Sequence, residues 1–260
     1  MLELDRIYNM DCLEGMKQIP DNYIDLVITS PPYNLGIEYD VYNDKRDWVE
    51  YYNWCNNWLR EIYRILKNDG RFCLNHYLSV GNGKKRYTPI MDLNWYAKQI
   101  GFNHHSIAIW NDTTVCKKTA WGSWKSASAP YINSPYEAVL IMYKDIWKKQ
   151  SDGITEIGTK QFIDTCLGVW HIAPNKINGH PATFPIELAD RCIRLFSYEN
   201  DIVLDCFIGS GTVAIASKMA NRKYIGFEIS KRYCDMANKK LNNIPVRIDS
   251  YYDIQKKIEG

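Results

Sequence analysis

The sequence predicts an α/β fold: a mostly parallel sheet with helices on both faces. Short apolar runs bounded by turn residues recur along the chain, and helical patterns separate several of them. One run, Ile202-Val-Leu-Asp205, also opens onto a glycine turn followed by another helical pattern. Strands alternating with helices in this way argue for a parallel sheet covered on both sides.

The runs are Ile24–Thr29, Arg71–Tyr77, Ser106–Trp110, Ala138–Tyr143, Ile202–Asp205 and Tyr224–Glu228. Helical patterns fall at Trp48–Leu66, Met91–Ile100, Pro185–Phe196, Gly211–Met219 and Lys231–Leu241. No helical pattern separates Ser106–Trp110 from Ala138–Tyr143, which predicts an antiparallel edge hairpin there. Asn111–Glu137 is rich in Thr, Ser, Trp and Lys, and Lys144–Thr165 is polar and aperiodic. Loops of that length in a compact domain are commonly functional or disordered.

The bulk numbers bound the answer. A chain of 260 residues, 46% apolar and 24% charged, fills one globular domain, residues 1–260. No window approaches 18 uninterrupted apolar residues, so no membrane span is expected. The acidic, polar start MLELDRIYNMDC does not read as a secretory leader. Eight cysteines form no CxxC pair, and several lie in apolar runs such as Phe72-Cys73-Leu74. This predicts free thiols in a reducing cytoplasm, with neither a disulfide framework nor a zinc site. A net charge of +2 neither demands nor excludes nucleic acid. The clusters Lys84-Lys85-Arg86, Lys117-Lys118 and Lys148-Lys149 read as solvated loops.

Two motifs carry the chemistry. In Asp25-Leu-Val-Ile-Thr-Ser-Pro-Pro-Tyr-Asn-Leu-Gly36 a buried strand stops at Ser30, because prolines cannot donate to a sheet ladder. Ser30, Pro31, Pro32 and Tyr33 then stand together at a strand tip, with the aromatic ring expected to be exposed. In Asp205-Cys-Phe-Ile-Gly-Ser-Gly-Thr212 a strand, a glycine turn and a helix follow one another. Doubly wound sheets hold a ligand with this arrangement, the glycines letting the backbone approach it closely. The spacing is not that of a triphosphate loop. Glu228 ends the next strand about 20 residues on, where an acid commonly takes ribose hydroxyls. Upstream lies Asn178-Gly-His-Pro-Ala-Thr-Phe-Pro185, whose His180 has no second ligand at metal spacing and reads as structural or cofactor-lining. Pro185 suits the opening of a helix. Asp11 reads on its own as a helix N-cap.

Together these motifs resemble the S-adenosylmethionine-dependent DNA amino-methyltransferases of restriction–modification systems. Thr29-Ser-Pro-Pro-Tyr33 looks like their catalytic motif, Asp205–Thr212 like their cofactor loop, and His180–Pro185 like the element before it. The order, catalytic motif first and recognition material between, is that of the family's β group. The resemblance runs from about Tyr8 to about Leu241. It implies a Rossmann-like methyltransferase fold with a small inserted target-recognition region within residues 111–168. It further implies S-adenosyl-L-methionine as cofactor, held by Asp205, Phe207, Gly209, Ser210, Gly211 and Thr212, with Glu228 on the ribose. Asp11 would meet the adenine, and His180, Thr183 and Phe184 would line the site. Double-stranded DNA is the implied partner, with a cognate restriction endonuclease and a homodimer as further possibilities.

The implied reaction is direct methyl transfer to an exocyclic amine. Ser30 and the Pro31 carbonyl would accept the amine hydrogens while Tyr33 stacks on a base flipped from the duplex. The loop Asn34–Trp48 would close over that base. Serine in the motif points to N4 of cytosine, with N6 of adenine as the alternative. C5 methylation is not expected, since no Pro-Cys dipeptide occurs. Methylation of a protein glutamine or an RNA amine, and a non-catalytic DNA-binding relic, are competing readings. Intact Ser30–Tyr33 and Gly209–Thr212 count against the relic.

Overall fold

The computed structural model describes residues 2–82, 85–112, 122–132, 134, 136–174, 181 and 183–244. In chain order these form β1 (Arg6–Asn9), α1 (Cys12–Met16), β2 (Ile24–Thr29), α2 (Trp48–Ile65), β3 (Leu66–Tyr77), β4 (Val80–Asn82) and β5 (Lys85–Tyr87). There follow α3 (Pro89–Ile100), β6 (Asn103–Asn111), β7 (Glu137–Tyr143), α4 (Thr159–Cys166) and β8 (Val169–His171). The rest is α5 (Ile186–Phe196), β9 (Ile202–Asp205), α6 (Thr212–Met219), β10 (Lys223–Glu228) and α7 (Lys231–Asn242).

All six residues of β2 are buried because both faces of the sheet are covered. On one face α2 lays down Tyr51, Cys55, Trp58, Leu59, Ile62 and Ile65, a stripe at helical spacing. Asp47 starts that helix by accepting the Val49 N–H. The core on this side joins Trp58 and Ile62 to Val27, Phe72 and Leu204. On the other face Leu188, Cys192 and Ile193 of α5 pack on Leu26, Ile28 and Val203.

The main sheet runs β1-β10-β9-β2-β3-β7-β6-β8. Neighbours from β1 to β3 are parallel, whereas β7 is antiparallel to both β3 and β6. The expected antiparallel hairpin is therefore present, but β8, parallel to β6, lies outside it. β2 crosses over through α2 to β3 on one side, and β9 through α6 to β10 on the other. Since β2 and β9 are neighbours, the strand order reverses between them, and a crevice opens beyond their carboxyl ends.

The amino ends of these two strands are clamped as well. Asp25 accepts the Ile202 N–H at 2.9 Å and Lys67 Nζ at 2.7 Å. Lys149 bridges Asp201 at 2.7 Å and Asp25 at 3.5 Å. Lys149 is thus a buried tie between strands rather than a solvated loop cation. Helix α4 also departs from the loop expected there. Its inward residues are polar, Gln161 bonding Asp190 and the Thr165 carbonyl accepting from Trp170, so no apolar period marks it. All seven cysteines among the described residues are free. No helix among those residues is long and apolar enough to cross a membrane.

Leu204, fully buried at the centre of β9, supports the crevice from below. Leu204→Ala is expected to cost about 2–5 kcal/mol of unfolding free energy. Urea titration should show this as a lowered midpoint with an unchanged slope.

Candidate active site

A cavity of about 700 Å³ occupies the crevice. Its walls come from the tips of β1, β2, β9 and β10, from Tyr77, Asp112 and Glu137 at the ends of β3, β6 and β7, from the loop after Tyr33, and from the segment before α5. Asp11, Ser30, Pro31, Pro32, Tyr33, Thr183, Phe184, Phe207, Gly209, Ser210, Thr212 and Glu228 all line it. Asp205 and Gly211 lie just behind the wall, and His180 falls outside the described residues.

The glycine turn is built for close approach. Gly209 and Gly211 have φ of +49° and +88°, which side-chain-bearing residues rarely adopt. Gly211 caps α6, where a Cβ would meet Ala237 Cβ at 2.9 Å. Glu228 holds the turn from below. Its Oε2 accepts the Gly209 N–H at 3.0 Å and its Oε1 the Ser230 N–H at 2.8 Å. Burial raises the Glu228 carboxyl above the ordinary range, opposed by these backbone donors. Asp11 caps α1 by accepting the Leu13 N–H at 2.8 Å and also faces the cavity. Pro185 likewise sits at a cap, so α5 begins one residue later than Pro185 itself.

The loop after Tyr33 folds onto the Glu228 side of the cavity. Asp44 accepts the N–H groups of Asn34, Leu35 and Ile37 at 2.8–3.1 Å. Ser230 Oγ donates to Asp40 at 2.6 Å, tying the loop to the end of β10. Its described contacts therefore cover the glycine-turn half of the cavity.

Tyr33 differs from expectation. It is 8% exposed rather than an open ring, and it packs on His76 with centroids 4.2 Å apart. Its hydroxyl donates to Glu137 Oε2 at 2.7 Å, accepts from Asn75 Nδ2 at 2.8 Å, and lies 2.6 Å from Ser30 Oγ. The Pro32 carbonyl accepts the Tyr51 hydroxyl at 2.8 Å, and Tyr51 also meets His76 Nε2 at 3.1 Å. Tyr51 has only one hydrogen, so His76 must donate to it from Nε2. Burial lowers His76 to about 3, which keeps the ring neutral.

Sequence reasoning missed Asn75, His76 and Glu137, and it took Thr29 only as part of the catalytic motif. Thr29 Oγ1 donates to Asp205 Oδ1 at 2.7 Å, and the same oxygen accepts the Phe207 N–H at 3.0 Å. The available signal was Asn75-His76, two polar residues interrupting a buried strand, since such residues are inside only when bonded. Glu137 gave none, because a charged residue at a strand end ordinarily faces water.

The cavity also has a sign. Among the described residues, Asp11, Asp112, Glu137 and Glu228 line it against the single guanidinium of Arg46. Such a wall favours a cationic ligand group and disfavours a triphosphate. Among the described residues the buried Ser210 hydroxyl in the same turn has no partner, a polar atom left for a ligand.

Residues 24–239 match the family model for the N6/N4 methyltransferases, described as DNA methylase. The chain belongs to this DNA methylase family. It is 31% identical to the orphan methyltransferase M.BamHII of Bacillus amyloliquefaciens, covering 94% of this chain and 96% of that protein. Over 154 residues it is 41% identical to the Type II methyltransferase M.MjaVI of Methanocaldococcus jannaschii, covering 58% of this chain and 78% of that protein. Among solved structures, a DNA modification methylase of Thermus thermophilus superposes with a TM-score of 0.75 at 25% identity, covering 94% of this chain and 99% of that one. The PvuII DNA methyltransferase, cytosine-N4-specific, shares the fold with a TM-score of 0.70 at 22% identity, covering 92% and 87%.

Burial pushes Asp205 up to about 7, opposed by the Thr29 and Phe207 donors. A carboxyl raised in the folded state contributes stability below its ordinary value and loses it as pH rises through the folded value. Asp205→Asn should lack that loss. Urea midpoints at about pH 5 and about pH 8 should therefore move in favour of the Asn variant at the higher pH.

Proposed function

We propose that this protein binds S-adenosyl-L-methionine and methylates the exocyclic N4 amine of cytosine in double-stranded DNA. The observation that carries the reading is that Ser30 and the glycine turn face one another across one cavity with an acidic wall. When bound, the cofactor supplies an electrophilic methyl group on a sulfonium, a cation suited to that wall.

In this reading Glu228 takes the ribose hydroxyls, Asp11 meets the adenine, and Phe207, Gly209, Ser210 and Thr212 enclose the methionine part. Asp205 and Gly211 set the shape of the turn. Thr183 and Phe184 close the opposite wall. An exocyclic amine is a poor nucleophile because its lone pair is delocalised into the ring. Ser30 Oγ and the Pro31 carbonyl accept its two hydrogens and aim the lone pair at the methyl. Locked proline φ angles hold that carbonyl at little entropic cost. The Tyr33 ring is the wall against which a flipped base stacks. Positioning and electrostatics, with no covalent enzyme intermediate, supply the acceleration.

The whole chain acts as one catalytic domain. Residues 111–168 carry the target recognition, with exposed Trp124 and Lys125 among the groups reaching DNA. Serine at position 30 is what favours cytosine over adenine.

The test uses cofactor with a labelled methyl group and, separately, DNA, tRNA and protein as acceptors. Label in N4-methylcytosine after digestion is the expected result. Label in N6-methyladenine would overturn the base assignment, and absence of label the enzymatic reading. Ser30→Ala is expected to lower kcat by about 10²–10³-fold while cofactor Kd stays unchanged. Glu228→Ala should instead weaken cofactor binding by about 10–100-fold, measured by calorimetry.

A further inference from the structure

The Tyr33 hydroxyl is the centre of a closed hydrogen-bond count. It has one hydrogen and two lone pairs. Asn75 Nδ2 donates to it at 2.8 Å and also to Glu137 Oε2 at 2.6 Å. The Glu137 carboxylate, 2.7 Å away, can only accept, so it takes the phenolic hydrogen. One lone pair then remains for Ser30 Oγ at 2.6 Å, and Ser30 must be the donor. The one hydroxyl hydrogen of Ser30 is committed inward, while Ser30 itself lines the cavity.

We propose that Glu137 is a positioning residue that sets the polarity of the Glu137–Tyr33–Ser30 chain, holding Ser30 as a hydrogen-bond acceptor toward the amine of the target base. The proposal rests on the amino-methyltransferase reading above and adds to it a residue outside both motifs. Without the carboxylate the chain reverses. Tyr33 then donates to Ser30, and Ser30 turns its hydrogen toward an amine that also presents hydrogens.

Several groups face Glu137. Ser30 and Tyr33 approach from the tip of β2, and Asn75 and Tyr77 from β3. Asp112 lies beyond the end of β6. Burial first, and the Asp112 charge last, push Glu137 up to about 7, while the Tyr33 and Asn75 donors pull it down. His76 stays neutral and adds no charge. Asp205 lies in the same range and is the competing source of any titration near neutrality.

Two measurements test the chain. Methyl transfer by the unsubstituted protein is expected to fall as pH drops through about 7, where Glu137 gains a proton. Glu137→Gln keeps a carbonyl acceptor for Tyr33 and Asn75 but cannot titrate. It should lose that acid limb and retain kcat within about tenfold. Glu137→Leu should lower kcat by about 10²-fold with cofactor Kd unchanged. An acid limb persisting in Glu137→Gln, or full transfer by Glu137→Leu, overturns the proposal. The second measurement needs no turnover: carbon-13 NMR titration of the Glu137 carboxyl in the cofactor-free protein. Tyr33→Phe should raise its pKa, because a donor to the charged form is lost. A lowered or unchanged value overturns the polarity. A protein that binds cofactor yet methylates no DNA removes the reaction on which the role of Ser30 depends, and this outcome is distinct from a failed titration.

Discussion

The hydrogen bond from Thr29 to Asp205 is the constraint on which the rest of the cavity depends. β2 and β9 pair over only two registered positions, Leu26 with Val203 and Val27 with Leu204. Past those positions nothing in the ladder holds the strands together, and their connections leave in opposite directions. At the amino ends the Asp25, Lys149 and Ile202 contacts close the pair. At the carboxyl ends Thr29 and Asp205 do so, 2.7 Å apart and both essentially excluded from water. The same Asp205 oxygen then takes the Phe207 N–H, which fixes where the glycine turn departs. One buried carboxyl therefore sets the spacing between the serine tip and the turn.

That carboxyl shows the cost of the arrangement. Burying an acid with two donors and, among the described residues, no cation leaves it easier to protonate than in water, and so it sits near neutrality. An Arg beside it would neutralise it more fully, but would place a positive charge next to a cavity proposed to hold a sulfonium. Hydroxyl and amide donors stabilise the carboxylate without that conflict. Cations buried elsewhere lie away from the cavity walls, among them Arg194 with Asp190 and the Lys149 side chain with Asp201.

What was legible in the sequence follows from how each element is stabilised. Strands covered on both faces announce themselves as unbroken apolar runs, so β2, β7, β9 and β10 were readable nearly to the residue. β1 has only Ile7 buried, and β8 has only Trp170 buried between exposed neighbours, so their patterns are too short to see. Helix α4 hides because it meets α5 through Gln161 and Asp190 rather than through an apolar stripe. The two motifs were legible because prolines and glycines constrain backbone wherever they occur. Their supports were not, since Asn75, His76 and Glu137 act only through register. Glu137 stands opposite Tyr77 in the β3–β7 pairing, 104 residues from Tyr33 in sequence.

Those supports explain how a strand tip of four residues can be held still. Successive residues of a strand point to opposite faces, yet Asn75 and His76 both serve the tip. Asn75 reaches the Tyr33 hydroxyl directly, while His76 packs on the Tyr33 ring and holds Tyr51, which in turn fixes the Pro32 carbonyl. The turn is gripped at its backbone and at its last side chain by the same strand, β3. Removing any one member leaves a buried donor or acceptor of another unsatisfied, so the network acts as a unit rather than as separable contacts. The prolines restrict what the tip can do, and β3 with Glu137 selects which of the remaining hydrogen-bond polarities it adopts. A serine in this setting is defined less by its own chemistry than by the direction in which its hydrogen has been committed.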